Sequence, residues 1–373
     1  MRLVDRRLFL LGAGASFTAA LSPRAAQAMM RADAVYGAAC QTGEGRYGCA
    51  IFSEAGEILS LVELPDRGHD ITFDPVSKRA VAFARRPRNF AVVFDPASGR
   101  TERTILSAEG RHFFGHGFFS PDGTLLYATE NDIETAGGLI GVYDVSDDFR
   151  RVGEFSTGGM DPHEALLMPD GETIVVANGG IETDPAFGRQ KLNIATMEPS
   201  LVFLDRRSGA LKEQQRLDAK LHQLSIRHLA IDAKRRVWFG CQYEGNPADA
   251  PQLVGFAALG EPLRLVDLPR VELAALSNYV GSVAASADGA RIALSSPAGN
   301  RLLVLDAATG SVAAHHTLKD GCGLAPAGDD FLATSGQGDI VTLADETDRT
   351  PSRKVLWDNH ILALPSFHRP QSI

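Results

Sequence analysis

The chain of 373 residues is short of several features that mark common functions. It has four cysteines, Cys40, Cys49, Cys241 and Cys322, with no CxxC, no CxxCH haem attachment and no zinc-finger spacing among them. One disulfide is permitted in an oxidising compartment: Cys40 and Cys49 flank the glycine-rich turn QTGEGRYG, with burial as small apolar residues the alternative. There is no surplus of positive charge. The net charge is −9, and because residues 1–28 carry Arg2, Arg6, Arg7 and Arg24 against Asp5, the remainder stands at −12. An acidic body argues against nucleic acid as a partner and offers no footprint for anionic lipid. Beyond the first residues no apolar run is long enough for stable membrane insertion. No Ser-His-Asp order, nucleophile elbow or nucleotide-cofactor signature appears.

Turns are abundant instead, with 37 glycines and 19 prolines. At the N-terminus, DRRLFLLGAG resembles a twin-arginine export signal, with Arg6 and Arg7 followed by Phe9 and Leu10 and with Asp5 in the usual Ser or Thr position. The apolar run from Leu8 to Leu21 is too short to span a bilayer, and Ala26-Gln27-Ala28 is a small-residue cleavage site. The expectation is a signal peptide over 1–28, cleaved after Ala28, and a periplasmic protein of one domain over 29–373. A plain Sec signal and an uncleaved anchor are the alternatives. Because the twin-arginine route exports folded proteins, it raises the expectation of a metal or cofactor inserted before export.

Histidines recur at one point of a repeating unit: His69 in RGHDITFDP, His116 in FGHGFFSPDG, His163 in DPHEALLMPDG and His228 in IRHLAIDAK. His360 in DNHILALP begins a similar run. After each of the first four come short strands rich in Val, Ile, Leu and aromatics, separated by Gly, Asp and Pro turns. Third strands end in Asp95, Asp144, Asp205 and Asp306, three of them leading to a tight Ser-Gly or Thr-Gly hairpin turn. Four antiparallel strands per unit of this length predict an all-β propeller. GCGLAPAG, DFLATSGQ, DIVTLAD and KVLWD read as a sixth unit, and the N-terminal segment supplies three strands of a seventh. HILALP can supply its missing innermost strand, placing 361–365 beside 35–41. Seven blades, closed by strands from both termini, is the expectation, with six the rival; closure removes free edges.

In such a blade the first strand lines the channel and the second runs back antiparallel, so the start of one and the end of the other share a rim. The expected rim therefore holds His69, Arg85, Arg86, Asn131, Asn178, Gln242, Ser282, Cys322 and His360. His116, His163 and His228, with Glu130 on the same rim, are the expected metal ligands. Imidazole suits iron, copper, zinc and nickel, and carboxylate shifts preference toward iron, so the expected cofactor is iron or copper, bound directly or as a small complex. A channel roughly 10 Å across would let only neighbouring histidines share an ion, since metal–nitrogen bonds are ~2.0–2.1 Å. His69 beside Arg85 and Arg86 is also placed to hold an anionic group. The long connection 179–199, containing Arg189, Leu192, Ile194 and Met197, reads as an ordered flap over the mouth, with a tolerated insertion the alternative. Three other readings stand beside metal binding. Gly68-His69 and Gly115-His116 look like the structural Gly-His pair of WD-type propellers. A channel histidine can serve as general base of a hydrolase or oxidoreductase. A propeller face can also be a periplasmic interaction scaffold.

FGHGFFSPDG, LYATEND, GVYD, GMDPHEALLMPDG, VANGGIETDP, LNIATMEPSLVFLD and SIRHLA together resemble the domain-of-unknown-function family numbered 1513, over about residues 33–368. The resemblance implies an exported, propeller-like protein, encoded near imelysin-like and haem-bearing peroxidase-like proteins in iron-responsive loci. It thereby implies a role in periplasmic iron or metal handling with such proteins as partners. It implies no reaction and supplies no catalytic residue.

Overall fold

A computed structural model describes residues 34–344, 349–351 and 355–364, together with Pro23 and Ala32. Apart from Pro23, the expected export signal and its expected cleavage site lie outside the described residues. None of the described helices is long and apolar enough to cross a membrane.

The described residues form seven antiparallel sheets arranged as a β-propeller. Six sheets are consecutive four-strand units whose first strands are Gly68–Asp74, Arg111–Phe119, Pro162–Leu167, Leu224–Ile231, Ser282–Ala285 and Gly321–Ala327, here blades one to six. First strands of successive blades neighbour one another around the axis. Burial follows from this stacking. Second strands such as Thr173–Asn178 are buried on both faces by adjacent blades, whereas the outermost strand Arg150–Ser156 alternates between exposed and half-buried residues. The core is therefore a series of apolar layers between blades, filled by residues such as Phe83, Tyr127, Phe203, Trp238 and Phe331.

Blade seven closes the ring. Val35–Thr42, Tyr47–Ser53 and Ile58–Glu63 come from the N-terminal side, and Leu362–Ala363 from the C-terminal side pairs with the first of them, Tyr36 opposite Ala363. One detail departs from the sequence expectation. KVLWD does not finish blade six; Val355–Trp357 pairs with the same N-terminal strand, Cys40 opposite Trp357. The reason is burial: the Trp357 ring packs 4.4 Å from Phe52 inside blade seven. Arg349–Pro351 supplies the outer strand of blade six instead. Cys40 and Cys49 are free and are not opposite each other, since Ala39 faces Cys49. Their side chains enter different apolar layers, which rules out a bridge between them.

The third-strand aspartates act as turn residues. Asp95, Asp144, Asp205 and Asp306 accept hydrogen bonds from the backbone N–H of Ala97, Ser146, Arg207 and Thr309 at 2.8–3.1 Å.

Candidate functional site

The local backbone decides where the histidines point. Pairing between first and second strand slips at Gly68/Ile71, Phe113/Gly117, Pro162/Glu164 and Ile226/His228, so each of the four histidines lies at or beside a β-bulge. A bulge re-aims a side chain out of the strand's alternation, here toward the axis. Gly115, at φ +105°, makes the bulge of blade two possible: a Cβ there would lie 2.7 Å from Cδ2 of His69.

Five imidazoles consequently meet in the centre. His69, His116, His163, His228 and His360 are each at most 7% exposed. Ring centroids of His116 lie 4.8 Å from His69 and His360, 5.2 Å from His163 and 6.1 Å from His228. The wide channel expected from the sequence is absent: the inner strands converge until the rings are in contact. Two trios bring ligand atoms within 4.8 Å of one another, His69-His116-His360 and His116-His163-His228. A ring nitrogen of every one of the five is buried without a hydrogen-bond partner: Nδ1 of His69 and Nε2 of the others.

Three of the other ring nitrogens are held from neighbouring blades. Nδ1 of His116 is 3.0 Å from Asp70, and Nδ1 of His228 is 3.3 Å from Glu164. Nδ1 of His163 is 2.9 Å from Nη1 of Arg227. Arg227 in turn lies 3.1 Å from Asp161 as an ion pair without hydrogen-bond alignment. His116 therefore bonds across blades, unlike the within-blade Gly-His device of WD-type propellers. Burial holds His69, His163, His228 and His360 well below the usual imidazole pKa. Burial also opposes protonation of His116, but the charge and hydrogen bond of Asp70 outweigh it and raise its pKa. Burial, reinforced by Asp70, pushes Glu164 up to about 7.

Above the rings is a cavity of about 150 Å³. His69, Arg85, Arg86, His163, His228 and Gln242 line it. Arg189 and Lys191 reach it from the connection 179–199, which is ordered: Asn193 accepts from the N–H of Glu182 at 2.7 Å and donates to the carbonyl of Gly180 at 3.0 Å. Asn131 is not in the lining but donates to the carbonyl of Thr183 at 3.4 Å, tying down that loop.

Other expected residues lie elsewhere. Glu130 is fully buried within blade two, accepting from Arg151 at 2.7 Å and from the Tyr143 hydroxyl, over the space that Gly141 leaves free. Strand alternation sends it into the blade, so it does not join the imidazoles. Asn178 is buried and donates to the carbonyl of Thr157 at 3.0 Å and to Ser200 at 3.1 Å. Cys322 is buried with its thiol donating to the carbonyl of Asp358 at 3.2 Å, and Ser282 is buried outside the lining.

The carboxylates that do reach the rings, Asp70 and Glu164, had a simple signal: each directly follows a repeated histidine, in GHD and PHE. Arg227 directly precedes His228, and Asp358, which binds Arg85 at 3.1 Å, lies two residues before His360.

The family model "Protein of unknown function (DUF1513)" matches residues 62–364. No curated protein matches significantly. Among solved structures, the chain is similar to Kuenenia stuttgartiensis hydrazine synthase, with TM-score 0.62, 14% identity, and coverage of 79% of this chain and 89% of that one. It is also similar to the β-propeller domain of Cps50 (Swd1) from Myceliophteria thermophila, with TM-score 0.54, 11% identity, and coverage of 84% and 92%. At these identities the likeness concerns the fold alone.

Proposed function

The chain belongs to the DUF1513 family, and we propose that it binds one transition-metal ion at the centre of its propeller, on His69, His116 and His360 with His228 alongside. The observation that carries this reading is the convergence of buried imidazoles, each with a nitrogen that has no partner. Burying an unpaired polar atom costs about 1–3 kcal/mol, so five together form a strained arrangement unless something binds them. Neutral imidazole is the ligating form, and burial keeps four of the rings neutral.

The hydrogen bonds favour one trio over the other. Asp70 on Nδ1 of His116 is the carboxylate–histidine pairing that fixes a tautomer and leaves Nε2 for a metal. Arg227 cannot accept a hydrogen bond, so Nδ1 of His163 must be the acceptor and its neutral ring carries the proton on Nε2. His163 therefore faces the cavity as a donor. Since His116 offers a single free nitrogen and belongs to both trios, one ion per chain follows. Nitrogen ligands fit iron or copper, and with the twin-arginine-like leader this suits an exported protein of metal handling. The cavity lining has no Ser, Thr or Cys nucleophile among the described residues, which favours metal binding over a covalent hydrolase.

Calorimetric titration of the folded protein with Fe(II), Cu(II) and Zn(II) tests the reading. One site per chain is expected, abolished by His116→Ala with His360→Ala. Equal binding by wild type and this double variant would overturn it.

A further inference from the structure

The cavity above the rings is unusually one-signed. Arg85, Arg86, Arg189, Lys191 and Arg227 line it, and no carboxylate does. Part of that charge is compensated from outside the lining. Asp161 lies beside Arg227, Glu244 pairs with Lys191, and the single carboxylate of Asp358 serves both Arg67 and Arg85. Arg86 and Arg189 have no carboxylate within salt-bridge distance among the described residues. Arg86 is braced over the Phe114 ring at 5.1 Å, with its Nη1 buried and unpartnered. Burial, only partly offset by the charge of Asp161, pulls Arg86 down to about 10, and the guanidiniums of Arg227, Arg189 and Arg85 add to the pull, so these cations also repel one another. The proton that Arg227 fixes on Nε2 of His163 adds a neutral donor at the floor of the same cavity.

From this juxtaposition we propose that the cavity is a built oxyanion site, taking a small multivalent carboxylate or phosphate through Arg86, Arg189 and the Nε2–H of His163. Planar guanidinium forks match such oxygens two at a time. The volume of about 150 Å³ is several times the ~10–15 Å³ needed for one water. The inference deepens the metal reading, on which its second half rests: a bare dication beneath uncompensated guanidiniums is repelled, whereas an ion carrying an anionic ligand is not. The substrate class is therefore a metal complex with an oxyanionic ligand, the anion held by the arginines and the metal by the imidazoles. The anion site itself stands without the metal.

The test is calorimetric titration of metal-free full-length protein with citrate and with inorganic phosphate, and separately with Zn(II) alone. Wild type is expected to bind at least one of the two anions, more weakly as salt rises; the tighter of the two identifies the ligand class. Arg86→Gln and Arg189→Gln are each expected to weaken the anion tenfold or more, and Arg86→Lys to recover part of the loss. The same glutamine variants are expected to tighten Zn(II), because they remove positive charge near a cation. This opposite sign separates a lost anion contact from a damaged fold, and Arg189 is an exposed residue of the connection 179–199, outside every blade strand. Wild type binding neither anion, or anion affinity unmoved in both glutamine variants, overturns the proposal even if Zn(II) binds. Anion binding that is lost in those variants, in a protein that takes up no Zn(II), upholds the anion site and defeats the metal reading.

Discussion

Blades one to four and blades five and six share one plan, four antiparallel strands with the first beside the axis, yet they treat the centre differently. Blades one to four each send an imidazole inward at or beside a bulge. Blade five begins at Ser282, opposite Ser295 in an unbroken register, and blade six places the buried thiol of Cys322 at its bulge. Two blades of seven thus stack around the same axis with no histidine there. The blades are held by apolar layers, and the imidazoles are an addition that the fold does not require. That separates stability from binding and makes the difference testable.

The largest effect is expected from His116→Ala with His360→Ala. Metal binding should disappear while a cooperative melting transition remains, at a midpoint lowered by the loss of the His116–Asp70 pair, because the apolar layers stay intact. A double variant that loses its cooperative melting transition would break the comparison, since blades one to four would then need their histidines as blades five and six do not.

Acid is the next lever. The unfolded imidazole titrates near 6.5. His69, His163, His228 and His360 are held well below that by burial in the folded protein. Above about pH 6.5 both states keep these rings neutral, and stability is at its full value. Below it, the unfolded chain takes up protons that the folded chain refuses, and stability falls by up to about 1.4 kcal/mol per pH unit for each ring. His116 runs the other way. Its raised pKa contributes stability below about 6.5 that is lost as pH rises through the folded value. Glu164, pushed up to about 7, works in the same direction as His116, and four rings against these two leave a net loss on acidification, to be read as a lower urea midpoint at pH 5 than at pH 7. An equal or higher midpoint at pH 5 would mean that the four rings are not buried neutral.

A smaller effect is expected from Asp70→Asn. Carboxylates that orient a metal-bound imidazole are worth roughly 10–100-fold in affinity, and Asp70 sits 3.0 Å from Nδ1 of His116. Metal affinity should fall within that range while stoichiometry stays at one. Unchanged affinity would transfer the ion to a set without His116.

How far the sequence reached follows the same division. The blade count is legible because strand composition and turns rich in Gly, Asp and Pro are local and recur from unit to unit, and closure follows from a unit one strand short. The inward histidines are legible because register repeats. The bulges are not: nothing in GHD or PHE announces that two residues oppose one, and so the place on the rim points to Glu130 and not to Asp70 and Glu164. Whether Glu130 points to the axis or into its blade depends on alternation and on the gap left by Gly141, both of them pairing properties. Arg227 matters because it donates to Nδ1 of His163 and so leaves the ring proton on Nε2, a contact between blades that a linear reading cannot supply.

The smallest expected effect belongs to blade five. Ser282 occupies the position of an inward histidine in the repeat, but its strand has no bulge to turn a side chain toward the axis, and it is buried away from the cavity lining. Ser282→Ala should change stability by about 1 kcal/mol or less and should leave metal affinity within measurement error. Paired titrations of Ser282→Ala and Asp70→Asn under the same conditions make the contrast direct, since both residues lie near the start of a first strand. If the serine variant loses affinity comparably to the aspartate variant, position in the ring alone confers function and the bulge has no special part. If only the aspartate variant moves, the bulge is what turns an ordinary blade into a ligand-bearing one.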